Sequence, residues 1–295
     1  MSKKKKSKLN SEQKDFFLKI ARLKNPIWIT NYLKKDAAMR LVENNFSKLI
    51  SNPLIKNNIL GSTFPIDYKD IETEAMVSQG TLEQEVWWTY LNVIYHSEKI
   101  NLFISKSEQF NNLLLYAKYE EASNILNEIK YELGLSHWYI ENKLLLLSKM
   151  NGLKEQKEYA ETIRKELPNA SALLVYHFSQ KLENELSYEQ YDKNFKKMWR
   201  DYPNIKTYFE FKANSLNADP ENLVYFLYFE RESPTIDKYI SLKKTLFSIC
   251  SNNNYYSLPV DFLNKYLIKL DNNIKDIELK PLLIKSTKLN YNDID

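Results

Sequence analysis

The chain has 295 residues, 43% of them hydrophobic and 27% charged, a composition that supports a buried core and excludes a disordered tail. Its four glycines, Gly61, Gly80, Gly134 and Gly152, are too scattered to write a phosphate-cradling loop or a dinucleotide turn. The formal charge is +4, and Lys3, Lys4, Lys5, Lys6 and Lys8 supply five positive charges in a stretch without an acid, so the rest sums to −1 and any nucleic-acid contact belongs to the head alone.

Residues 1–9 read as a basic flexible head, and 10–80 as an N-terminal helical unit with an irregular connection. The polar run after the lysines is no signal peptide, and no window approaches the ~18 uncharged apolar residues of a membrane span, so a cytoplasmic protein without a membrane partner is expected. Asn10 or Ser11 caps a first helix through Leu23, with Phe16, Phe17, Ile20 and Leu23 as its stripe and Pro26 as its stop. Asp36 caps a second, with Leu41, Val42, Phe46, Leu49 and Ile50 inward until Asn52-Pro53. The segment from Asn57 to Gly80 carries the densest acidic cluster, Asp67, Asp70, Glu72 and Glu74. Carboxylates perform acid–base or metal chemistry only where they converge; Lys69 interrupts these and no glycine supplies a calcium-loop turn, so a solvated helix start is the favoured reading.

From Leu82 onward few glycines, apolar residues at three- and four-residue spacing, and prolines between blocks predict an all-α chain. Trp87 and Trp88 are adjacent, which predicts a wide buried face on their helix. Gly134, Pro168 and Pro203 mark three successive helix ends, 34 and 35 residues apart. Five residues before each stand Ile129, Ile163 and Met198; eight before, Leu126, Ala160 and Phe195; fifteen before, Tyr119, Leu153 and Tyr188. All three columns are apolar or aromatic, as a stacked helix needs for its inner face.

The stretch Ala117-Lys118-Tyr119-Glu120-Glu121-Ala122, with Leu126 and Ile129, resembles the second helix of a tetratricopeptide repeat, and Pro168 and Pro203 stand where that family places its closing proline. The resemblance covers roughly residues 103–203. It implies a right-handed α-solenoid of stacked helical hairpins over 81–295, ending in C-terminal capping helices. It also implies that first helices, from about His137 to Lys149 and from about Ala172 to Asn184, line a concave groove. The groove positions are then Trp138, Glu141, Asn142, Leu145 and Lys149, followed by Leu173, His177, Gln180 and Asn184. Asn142 with Lys149 is similar to the polar pairs by which some family members hold a peptide carboxylate. Asn204 to Glu232 reads as a further degenerate pair closed by Pro234. Beyond it come Ile236 to Cys250, a polar break at Ser251-Asn252-Asn253-Asn254, then Phe262 to Leu270 and Leu279 to Leu283.

His96, His137 and His177 lie 41 and 40 residues apart, without the close spacing of a zinc helix, and no metal or other cofactor is expected. Cys250, the single cysteine, sits in an apolar run and reads as a packed thiol. The leading expectation is a non-catalytic scaffold that holds a partner protein or peptide in its groove. One rival is a peptide-sensing or nucleic-acid-associated regulator with residues 10–56 as effector unit, although Pro26 and the lack of glycine argue against a helix-turn-helix there. A second is an all-helical enzyme subunit using the acids of 67–74.

Overall fold

The computed structural model describes residues 2–73, 77–183, 187–200, 203–214, 220–251 and 258–283, and among them every regular element is helical, as the sequence predicts. Glu74, Asn184, the polar break at 252–254 and the C-terminal residues from 284 lie outside the described residues.

The chain opens with α1 (Ser2–Leu23), α2 (Pro26–Lys35), α3 (Met39–Leu49) and α4 (Pro53–Leu60). Two expectations are corrected here. The lysine head is the first part of α1, because lysine is a good helix former and the head holds no breaker. Pro26 and Pro53 start helices instead of stopping them. Asn25 Oδ1 accepts from the Ile27 N–H at 2.8 Å and Asn52 Oδ1 from the Leu54 N–H at 3.0 Å, and each proline takes a first-turn place where an N–H has no helical acceptor. Asp36 consequently closes α2, and α3 begins after Ala38.

Next comes α5 (Leu82–Tyr95), opened by a reciprocal cap in which Thr81 Oγ1 accepts from the Gln84 N–H and the Gln84 side chain accepts from the Thr81 N–H. Every residue from Glu85 to Val93 is buried, the two indoles of Trp87 and Trp88 included. Such enclosure requires neighbours on all sides, and α5 packs against α2 before it and three helices near the C-terminus after it. The N-terminal unit therefore shares one apolar core with the rest, from Phe16 to Leu282.

Four consecutive helix pairs follow: α6 (Ser97–Leu115) with α7 (Tyr119–Leu133), α8 (His137–Met150) with α9 (Leu153–Arg164), α10 (Asn169–Lys181) with α11 (Tyr188–Met198), and α12 (Pro203–Asn214) with α13 (Pro220–Glu230). Contacts of α8 with α10 and of α10 with α12 make the first helices an inner layer, while α7, α9 and α11 lie outside it. The last two helices, α14 (Thr235–Ser251) and α15 (Val260–Asn273), do not extend this series outward. α14 packs on α5, α6 and α8, and α15 packs on α5. The C-terminal helices thus close over the inner layer near its beginning.

The irregular connection is threaded through this closure. Gly134 turns the chain from α7 into α8 at φ +74°, and a Cβ there would lie 2.5 Å from Pro65 O, so only glycine lets the strands of chain pass this closely. Leu135 N donates to Pro65 O at 2.6 Å, Thr235 N to Thr63 O at 2.9 Å, and Thr73 N to Glu232 O at 3.3 Å. These bonds carry Glu72 to the interface of α10 with the α13–α14 turn.

Candidate functional site

A cavity of about 530 Å³ opens between α6, α8, α14 and the segment after α15. Phe103, Ile104, Asn111 and Asn112 line one side, Trp138 and Glu141 another, and Ile240, Lys243, Lys244 and Lys275 to Glu278 the rest. The last segment is pinned: Lys275 N donates to Asn101 Oδ1 at 2.7 Å, and Asp276 accepts from Tyr239 OH and from Lys243 Nζ at 3.0 Å. Its acids and lysines give the cavity both signs of charge beside an apolar wall.

Of the groove residues expected from sequence, the structure brings Trp138 and Glu141 into this cavity. The Trp138 ring packs edge-on against Phe103 at 4.9 Å, and Glu141 lies 3.7 Å from Lys181. Asn142 spends its Nδ2 on Trp138 O at 2.8 Å; Leu145 is half-buried and Lys149 exposed, both further along α8. Gln180 donates to Tyr176 OH at 2.6 Å, and Leu173 is half-buried. His177 is not a groove residue. It is wholly buried, its Nε2 accepts from Trp199 Nε1 at 2.9 Å, and Phe195 and Phe209 surround the ring, because α10 is covered on both faces. Burial holds it neutral, with its pKa pulled down to about 4.

At the inner end of the cavity lies a polar centre that the sequence does not announce. α8 begins at Ser136, whose Oγ accepts from Tyr139 N at 3.0 Å. Asp237, 100 residues beyond His137 and on α14, takes the next free donors: its carboxylate accepts from His137 N at 2.8 Å and from Trp138 N at 3.1 Å. A carboxylate there answers both the unpaired N–H groups and the positive end of the helix dipole. Lys212 of α12 donates to Glu230 and stands 3.6 Å from Asp237. Burial pulls the ammonium down, but the charges of Asp237 and Glu230 outweigh it and hold the group above its usual range.

The His137 ring sits in the same centre, 1% exposed. Its Nε2 lies 2.6 Å from Ser171 Oγ, and that hydroxyl in turn donates to Glu72. Burial, reinforced by the charge of Lys212, pushes the His137 pKa down to about 3, so the imidazole is neutral at pH 7. Burial raises the Glu72 carboxyl, against the bond from Ser171. Lys238 is also sealed in, donating to Leu60 O and to Ser62 O at 3.3 Å, and burial brings it down to about 7. Ser171, His137 and Asp237 follow the order of nucleophile, base and carboxylate. Ser171 is wholly buried with its hydroxyl engaged by Glu72, so the row presents no nucleophile to the cavity.

The acidic cluster of the connection does not converge: Asp67 and Asp70 are exposed while Glu72 turns inward. Nor do the histidines share a site, since His96 packs edge-on against Phe64 and Tyr95. Cys250 is buried, as expected. No described helix is long and apolar enough to cross a membrane. Compared with protein-family models, curated proteins and solved structures, the chain matches none of them.

Proposed function

We propose that this protein is a non-catalytic interaction module, a right-handed tetratricopeptide-like helical array whose inner face holds an extended segment of a partner protein. The observation that carries the reading is the cavity between α6, α8 and α14, where Trp138 and Glu141 meet Phe103 and the lysines of α14. Its volume of about 530 Å³ suits the side chains of a short peptide. Asn111 and Asn112 offer amide donors and acceptors to a peptide backbone, the apolar wall takes a hydrophobic side chain, and Glu141 and Lys275 face opposite charges. Because these walls are helices already packed on a core, little ordering cost falls on the receptor.

A photo-crosslinking residue placed at Asn111 tests this in the native cell, with the same residue at the 92% exposed Tyr131 of α7 as control. The reading predicts one partner chain captured at Asn111, absent at Tyr131, and lost when Glu141→Lys reverses the charge of the wall. Equal capture at both positions, or capture at Asn111 that Glu141→Lys leaves unchanged, contradicts it.

A further inference from the structure

We propose that His137, Glu230 and Asp237 form a binding site for a transition-metal dication of the zinc or manganese kind, entered from the cavity. One ligand atom from each lies within 4.8 Å of the others, and all three side chains are buried. The argument is an accounting of hydrogens. Ser171 has one hydroxyl hydrogen, and it is donated to Glu72. His137 Nε2 must then be the N–H that donates to Ser171, which leaves the lone pair on Nδ1. That lone pair faces Asp237 Oδ2 at 3.4 Å, and Nδ1 has no hydrogen-bond partner among the described residues. Glu230 Oε2, wholly buried, has none among them either. Asp237 Oδ2 already accepts from His137 N, so two buried acceptors, His137 Nδ1 and Glu230 Oε2, stand beside it without a donor of their own, a costly arrangement that a cation resolves.

Lys212 does not remove the need. Its ammonium serves Glu230 Oε1 and approaches Asp237 Oδ1, and it makes no hydrogen bond to His137 Nδ1 or Glu230 Oε2. An imidazole with two carboxylates suits Zn²⁺ or Mn²⁺, and an all-oxygen preference argues against Mg²⁺. Ligand atoms around a tetrahedral zinc stand about 3.4 Å apart, the separation that His137 Nδ1 and Asp237 Oδ2 already have. The third ligand atom, from Glu230, lies within 4.8 Å of these two. The hydrogen-bond chain behind the imidazole, Nε2–H to Ser171 to Glu72, is the outer support that fixes the tautomer of a metal-binding histidine. His137, Lys212 and Asp237 line the cavity, which gives an ion its way in.

The test uses the full chain, stripped with a chelator and then titrated with Zn²⁺ or Co²⁺ alone. The proposal predicts saturation at one equivalent, a rise in Tm, and visible d–d absorption for Co²⁺ of low-symmetry coordination. His137→Gln and Glu230→Gln abolish the rise. Lys212→Met, which leaves every ligand in place and removes the competing ammonium, tightens Zn²⁺ binding about tenfold or more and regains with zinc the Tm it loses without it. An unchanged Tm in wild type and Lys212→Met, or an equal rise in wild type and His137→Gln, overturns the proposal and assigns the centre to protons shared along Glu72, Ser171, His137 and Asp237.

Discussion

The outer helices α7 and α11 and the inner helices α8, α10 and α14 are built on different rules. In α7 the buried residues are Ala122, Leu126, Ile129 and Leu133, a single stripe at helical spacing, and in α11 they are Tyr191 and Phe195. α10 instead buries Ser171, Leu174, Val175, His177, Phe178 and Ser179, and α14 buries Asp237, Lys238, Ser241 and Thr245 among its apolar residues. A helix with one covered face needs only an apolar stripe. A helix covered on two faces must also find partners for the polar groups it carries inside.

Acid is expected to separate the two layers most strongly. His137 and His177 are buried in the inner layer with pKa values near 3 and 4, below the 6.5 of the unfolded chain. Between those limits the unfolded chain binds more protons, so stability is present above pH 6.5 and is lost as pH falls toward 4, at up to about 1.4 kcal/mol per pH unit for each ring. Glu72, raised by burial, acts with the opposite sign and softens the slope near its own titration. Urea midpoints measured from pH 7 to pH 4 should fall steeply, and His177→Phe should flatten the fall; a midpoint independent of pH breaks the comparison.

Asp237→Ala comes next, at about 3–5 kcal/mol, because it strands two N–H groups at the start of α8 and takes from the buried Lys212 one of its two carboxylates. Leu126→Ala in the outer layer removes only packing, at about 3 kcal/mol. Chemical denaturation of the two variants compares polar satisfaction in one layer with burial in the other. The smallest effects separate two turns. Gly134→Ala and Gly152→Ala both place alanine at positive φ, at about 1–2 kcal/mol of backbone strain. Gly134 has Pro65 O against it while Gly152 has nothing within 4 Å, so Gly134→Ala should lower Tm further.

The same contrast explains what the sequence reveals. The stripe of α7 and the buried columns Leu126, Ala160 and Phe195 stand out because period and burial coincide on one face. Pro26 and Pro53 mislead because proline marks either end of a helix, and the asparagine before each is the sign that decides it. The polar centre is invisible for a different reason. Asp237 lies 100 residues from His137, and Ser171 99 from Glu72, so no local spacing joins them. Among the groove positions, Trp138 and Glu141 reach the cavity because α8 turns one edge toward it, whereas His177 sits at a similar place on α10 and is covered by Trp199 and Phe209.

The central claim is that α14 closes the inner layer through Asp237 and is not a terminal helix stacked at one end. Native-state hydrogen exchange on the full chain, wild type beside Asp237→Ala, tests it most directly. Closure predicts that the variant speeds exchange in α14, at the start of α8 and in α5 together, as one cooperative unit. Faster exchange confined to α14, with α5 and α8 protected as in wild type, would show an open array whose end frays alone and would contradict the account.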